Sequence, residues 1–167
     1  MYKVGDYVIY GYNGLCRIQD ITELDMSGTE KKTEYYCLVP VGTKDSLIYA
    51  PVGQSKVPMR SPLTEKEALA LIDSAPEMTE LWIGNEKLRE EKYREALKSD
   101  DSREWMRILK TMYHRRHERL AQGRKTTSVD ERYQKAAEDN LYTELAYALG
   151  KTRDEMEEYI TERIEGK

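Results

Sequence analysis

The residues that could do chemistry in this 167-residue chain are few and form no recognisable catalytic pattern. His114 and His117 are three residues apart and could share a metal ion on one helix face, but no cysteine or carboxylate stands beside them at a metal-ligand spacing. Cys16 and Cys37 lie far apart in apolar stretches and lack a C-x-x-C partner, which indicates a reduced, buried pair. No phosphate-binding glycine loop and no G-x-S-x-G motif occurs in the sequence. We therefore expect no cofactor and no enzyme activity.

The most informative charge pattern is a basic block at residues 103–125, with eight basic and two acidic side chains in a chain of net charge −4. At 100° per residue, one face of a helix over 102–121 is mainly apolar and carries Trp105, Ile108, Leu109, Met112 and Arg116. The opposite face is a positive stripe that continues into the next loop, with Arg103, Arg107, Lys110, His114, His117, Arg124 and Lys125. Such a stripe could neutralise DNA phosphates. It could equally be a solvated helix face paired with the acidic segments on either side.

The two tryptophans stand in different contexts. Trp105 belongs to the apolar face of the basic helix and is most simply a core residue. Trp82 lies in a short stretch between Pro76 and the helix cap expected near Asn85. An aromatic residue there either anchors the loop or contacts a partner, because a flat indole can stack on a base or wedge into a base step.

The first sixty residues are typical of a small β domain. Short stretches rich in β-branched and aromatic residues alternate with turn signals, and the predicted strands include Val4, Tyr7–Tyr10, Leu15–Ile18, Tyr35–Val41 and Leu47–Tyr49. Several short strands in so few residues can bury a core only by curling into a small barrel. We expect an SH3- or Tudor-like β-barrel over residues 1–61.

After Pro62 the pattern becomes helical. Capping boxes are predicted at Thr64, Ser128 and Thr152, and helices are predicted from about 64 to 73, 85 to 98, 102 to 122, 128 to 149 and 152 onward. Residues 62–167 should therefore form a compact bundle of about five helices. The predicted fold class is α+β with two domains. No apolar run approaches the ~20 residues needed to span a bilayer, so we expect a cytoplasmic protein without a membrane partner.

The order of these elements resembles the CarD/CdnL family, whose first module also opens transcription-repair coupling factors. The resemblance begins with the run Lys3-Val4-Gly5-Asp6-Tyr7-Val8-Ile9-Tyr10 and continues through Tyr35-Tyr36-Cys37-Leu38 and Tyr49-Ala50-Pro51. It then covers Trp82, the run from Tyr93 to Asp101, and the basic helix from Arg107 to Arg116. It extends over nearly all of residues 1–150.

This resemblance implies a division of labour between the two domains. The Tudor-like domain would dock on the RNA polymerase β subunit through an exposed strand edge. The helical domain would contact promoter DNA at the upstream edge of the transcription bubble, with Trp82 as a wedge in the minor groove. These contacts would include phosphates, need no specific operator sequence, and change the stability of the open complex.

The charge pattern and the resemblance together give candidate contact residues. For DNA they are Trp82, Lys87, Arg89, Arg107, Lys110, His114, Arg124 and Lys125. For the polymerase they are Leu24, Met26, Ile48 and Tyr49. Relatives often carry basic residues at Tyr49 and near Leu24 or Met26, so the contact here would be more apolar or shared with Arg17 and Lys44. In this chain, residues 83–86 separate Trp82 from the first basic residue, Lys87.

These features favour a non-enzymatic regulator that binds RNA polymerase. One alternative is a Tudor-like protein-interaction adaptor without a DNA role. Another is a free-standing, nonspecific DNA-binding protein, which the net charge of −4 disfavours. The sequence does not determine the oligomeric state, the responding promoters or the sign of regulation.

Overall fold

The computed structural model describes residues 1–24, 33–53, 56–81 and 85–166. The chain divides into two compact units, Met1–Pro62 and Leu63–Lys167. Within the described residues, the first unit is built of strands and the second of helices. The predicted fold class, a small β domain followed by a helical bundle, is confirmed.

The first unit is a five-stranded antiparallel sheet. Its strands are β1 (Tyr7–Tyr10), β2 (Leu15–Leu24), β3 (Thr33–Pro40), β4 (Ile48–Pro51) and β5 (Met59–Arg60). They are ordered β4-β3-β2-β1-β5 across the sheet. The register between β2 and β3 shifts between Ile18 and Asp20, where an irregularity of this kind bends a strand. Val4, predicted to lie in a strand, is an exposed turn residue ahead of β1.

One hydrophobic cluster forms the core of the sheet. It joins side chains from β1 to β4, including Val8, Ile18, Leu38 and Ala50, and Met59 of β5 packs against it. The two outermost strands can share one core only if the sheet curls, as expected for a Tudor-like domain. Cys16 and Cys37 are free thiols and buried, as predicted. Burial raises the pKa of the Cys16 thiol to about 12.

The second unit contains five α-helices among its described residues. They are α1 (Glu65–Ser74), α2 (Glu86–Lys98), α3 (Ser102–Ala121), α4 (Ser128–Leu149) and α5 (Met156–Ile164). Single 3-10 turns occupy Ala75–Glu77 and Arg153–Glu155. No helix of the described ranges is long and apolar enough to cross a membrane.

The helix starts follow local capping chemistry. Thr64 and Glu67 form the predicted capping box of α1, and the side chains of Asn85 and Asp101 cap α2 and α3. The cap of α4 was predicted one residue too late. The cap is Thr127, whose side-chain oxygen accepts a hydrogen bond from the amide of Asp130. The chain is still extended at Thr127 and already helical at Ser128.

One hydrophobic cluster of the bundle lies between α2, α3 and α4, and α1 and α5 also bury apolar side chains. Trp105, Ile108 and Met112 of α3 are buried as predicted. Arg116, predicted on the same face, is exposed. From Tyr113 onward no residue of α3 is buried, so an apolar face extrapolated along the whole helix extends too far.

Candidate functional sites

The edge strand β4 is the first candidate site. Among the described strands it pairs only with β3, so its other edge is unpaired. Tyr49 is 42% exposed and Leu47, just before the strand, is 45% exposed. Ile48, between them, packs against the core cluster. The predicted polymerase residues Ile48 and Tyr49 therefore point to opposite faces of the sheet, as alternation along a strand requires.

The hydrogen bonding of β4 shows which of its backbone groups are turned outward. The amide of Val52 donates to the carbonyl oxygen of Glu34 at 3.0 Å, directly after β4. Pairs in an antiparallel ladder alternate between hydrogen-bonded and non-hydrogen-bonded positions. Tyr49, opposite Cys37, therefore directs its N–H and C=O away from β3. Pro51 also lies at an outward position but has no N–H to offer.

Leu24 lies on the same face of the sheet as Tyr49. It ends β2 and is half-buried, and the row Asp20, Cys37 and Tyr49 crosses the sheet on that face. Burial, and to a smaller extent the charge of Asp20, raises the pKa of the Cys37 thiol. Met26 lies outside the described residues.

The second candidate site is a group of side chains on α3 that includes Lys110. Its ammonium donates to the carbonyl oxygens of Ala75, Pro76 and Met78 at 3.0, 2.7 and 2.6 Å. An ammonium has three N–H donors, and all three can be used here. Lys110 thus holds the end of the turn that follows α1.

Arg107 and His114 contact the residues that follow Met78 in the chain. Arg107 donates through Nε to the carbonyl oxygen of Thr79 at 2.9 Å and through Nη2 to that of Glu80 at 3.4 Å. Its Nη1 also donates to Glu104 at 2.8 Å. Nδ1 of His114 contacts the Glu80 carboxylate.

The structure therefore brings together three of the predicted DNA-contacting residues, at the chain segment 75–81. The sequence left open whether they would face phosphates or neighbouring acidic segments. Apart from the contacts with Glu80 and Glu104, their partners here are backbone carbonyl oxygens, which no charge pattern reveals. Contact of these three side chains with DNA stays a prediction.

Arg124 and Lys125 lie in the α3–α4 loop, and both are exposed. Gly123 has φ +72°, which lets the chain leave α3 in the left-handed conformation. The loop is held by Arg119, whose Nε donates to the carbonyl oxygen of Lys125 at 2.8 Å. This fixed loop presents two adjacent cations to solvent.

The end of α3 adds exposed groups that the sequence pattern did not single out. Tyr113 is 61% exposed, and its ring meets His117 edge-on with centroids 4.4 Å apart. Arg116 is exposed as well. Nucleic acids can bind to surfaces that combine exposed aromatic and basic side chains. The basic block of the sequence already contains these residues. They are missed when the apolar face is assumed to continue to the end of the helix.

The candidates near α2 differ from each other. Lys87 is exposed in the first turn, whereas Arg89 is half-buried and donates to the Tyr93 hydroxyl at 3.2 Å. Burial raises the pKa of the Tyr93 hydroxyl, and the hydrogen bond from Arg89 acts against this rise. Trp82 lies outside the described residues.

Within the described ranges, no group of three or more histidine, cysteine, aspartate or glutamate side chains is placed to hold a metal ion.

Comparison with known proteins gives one family match. Residues 2–62 match the CarD-like/TRCF RID domain family. The match covers the β unit and ends where that unit ends, at Pro62. No curated protein matches the chain.

Proposed function

We propose that this chain, whose N-terminal domain belongs to the CarD-like/TRCF RID family, is a non-enzymatic transcription regulator. The β domain binds the RNA polymerase β subunit, with which this family of domains interacts. The helical domain contacts promoter DNA at the upstream edge of the transcription bubble and thereby changes the stability of the open complex. The observation that carries the proposal is the family match over the whole β domain.

The unpaired edge of β4 supports the polymerase contact. An extended segment of a partner can add to this edge, with the outward N–H and C=O of Tyr49 supplying backbone hydrogen bonds. Because Pro51 has no donor, the added strand would pair over a short stretch near Tyr49. The exposed side chains of Leu47 and Tyr49 add apolar area at the same place.

The exposed cations of the helical domain support the DNA contact. Lys87, Arg124 and Lys125 are available to phosphates, and the block 103–125 is basic although the chain is acidic. Tethering explains how weak contacts can suffice. Binding through the β domain raises the effective concentration of the helical domain at the promoter.

The polymerase contact is tested by comparing Tyr49→Pro with Tyr49→Ala in pull-downs with the β subunit. Proline removes the outward N–H, and such a residue is tolerated on an edge strand, whereas alanine removes the ring and keeps the donor. We expect Tyr49→Pro to lose binding and Tyr49→Ala to retain part of it, with both variants melting near wild type. Wild-type binding by Tyr49→Pro would contradict docking at the edge. No binding by the unaltered chain would contradict the polymerase function itself.

The DNA contact is tested separately with Trp82→Ala. If Trp82 wedges into the duplex, its loss removes a stacking contribution of roughly 1–3 kcal/mol. This corresponds to about fivefold to over a hundredfold in the open-complex equilibrium. Polymerase binding should persist. Unchanged open-complex lifetimes would favour the alternative, a protein-interaction adaptor without a DNA role.

A further inference from the structure

The segment Ala75–Leu81 is held along its length by one side of α3. Lys110 and Arg107 together donate to five of its carbonyl oxygens. At the far end, the amide of Leu81 donates to Oγ1 of Thr111 at 2.9 Å, and the Thr111 hydroxyl donates to the carbonyl oxygen of Arg107 at 2.7 Å. Three side chains within five residues of α3 thus hold a seven-residue stretch.

The end of α1 shows why hydrogen bonds from another helix are needed here. The last carbonyls of a helix lack intrahelical partners and form its negative end. Neither the last turn of α1 nor the following 3-10 turn contains a basic residue. Lys110, about thirty-five residues further along the chain, supplies that charge from α3.

We propose that Arg107, Lys110 and Thr111 are positioning residues that fix the path of the chain from α1 to Leu81, the residue immediately before Trp82. We call this group the α3 clamp. Its cations act through the backbone they hold rather than through DNA phosphates. The inference rests on the proposed function only where it concerns Trp82, since the clamp itself is defined by contacts within the helical domain.

The clamp is tested first without DNA or polymerase, by amide hydrogen exchange in the full-length chain. Lys110→Met removes the ammonium while keeping a long side chain, and Lys125→Met makes the same change at an exposed loop position. We expect exchange at the amides of Met78 and Leu81 to rise about tenfold in Lys110→Met, as for the loss of a hydrogen bond to a charged group. It should not change in Lys125→Met. Unchanged exchange in Lys110→Met would overturn the clamp.

The link to Trp82 is tested by a double-mutant cycle on open-complex lifetime. If Lys110 acts through the placement of Trp82, Lys110→Met shortens the lifetime in the wild-type background and has no further effect in Trp82→Ala. Lys125→Met, as an independent phosphate contact, should give the same fold-change in both backgrounds. If Lys110→Met is additive with Trp82→Ala and flattens the log–log salt slope by about one unit, Lys110 is a phosphate contact and the positioning role is wrong.

Two further outcomes can be distinguished from a failure of the clamp. If Trp82→Ala by itself leaves the lifetime unchanged, the proposed DNA role of Trp82 fails, and the exchange data alone decide the clamp. If Lys110→Met does not fold, Thr111→Val takes its place, because it removes the hydroxyl that accepts from the Leu81 amide and leaves the side chains of Arg107 and Lys110 unchanged. Faster exchange at Leu81 in that variant supports the clamp, and wild-type exchange contradicts it.

Discussion

The indole N–H of Trp105 in α3 donates a hydrogen bond of 3.0 Å to the carbonyl oxygen of Leu97, in the last turn of α2. The side chain of Trp105 is fully buried. This residue therefore fills space in the bundle and also satisfies a carbonyl near a helix end, where intrahelical partners are missing.

Trp105→Ala should destabilise the helical domain by about 3–5 kcal/mol, because it leaves a large cavity in the core. The free energy of unfolding can be measured by urea titration. Leu120→Ala, at a position that is 57% exposed, is the matched control and should stay within about 0.5 kcal/mol of wild type. A Trp105→Ala variant that unfolds at the wild-type urea midpoint would show that the bundle does not depend on this side chain.

Reversing the charge at Arg124 and Lys125 should weaken open-complex stabilisation by a similar factor on different promoter sequences. Interactions with phosphates carry no base information, so removing them has an effect that is independent of sequence. The log–log salt slope should also become flatter by about one unit for each phosphate that is no longer neutralised. Lys135→Glu, on the exposed face of α4, is the control and should have little effect. A large difference between promoters would indicate direct base readout instead.

Asp130→Ala should destabilise the helical domain by about 3–5 kcal/mol, because it removes one member of a buried ion pair. The Asp130 side chain is 3% exposed and accepts from Nε of Arg115 at 2.8 Å. Arg132→Ala breaks the pair with Glu90 at the surface, and should cost less than about 1 kcal/mol. Equal losses in the two variants, measured by thermal or urea unfolding, would contradict the importance of burial.

The pair Asp73–Arg163 predicts a pH dependence of stability. The hydrogen bonds from Arg163 hold the pKa of the Asp73 carboxyl below its usual 3.8. A lowered pKa means that the pair stabilises the fold above pH 3.8 and that this contribution is lost as the pH falls through the lower folded-state pKa. NMR titration should give a pKa below 3.8 for Asp73 in wild type and a higher one in Arg163→Met. The same pKa in both proteins would show that the pair has no effect in solution.

The boundaries and caps of the helices were readable from the sequence because they depend on residues only a few positions apart. Thr64 with Glu67, Asn85 and Asp101 cap the helices predicted for them. The same locality explains the error at α4. Thr127 and Ser128 are both good caps, and only the backbone angles of the folded chain decide between them.

The change from β to helical pattern near Pro62 and the apolar stripe around Trp105 were also predictable, because burial leaves a period of two or of 3.6 residues in the sequence. What only the tertiary structure decided is what the polar side chains meet. A helical wheel puts Arg107 and Lys110 on a charged face, but their main partners are carbonyl oxygens about thirty residues away in the chain, and these have no signature in a charge pattern. Likewise, Arg116 is exposed, and α3 has no buried residue beyond Met112. How much of a helix face is covered depends on the packing of the neighbouring helices. The residues of that face alone do not determine it.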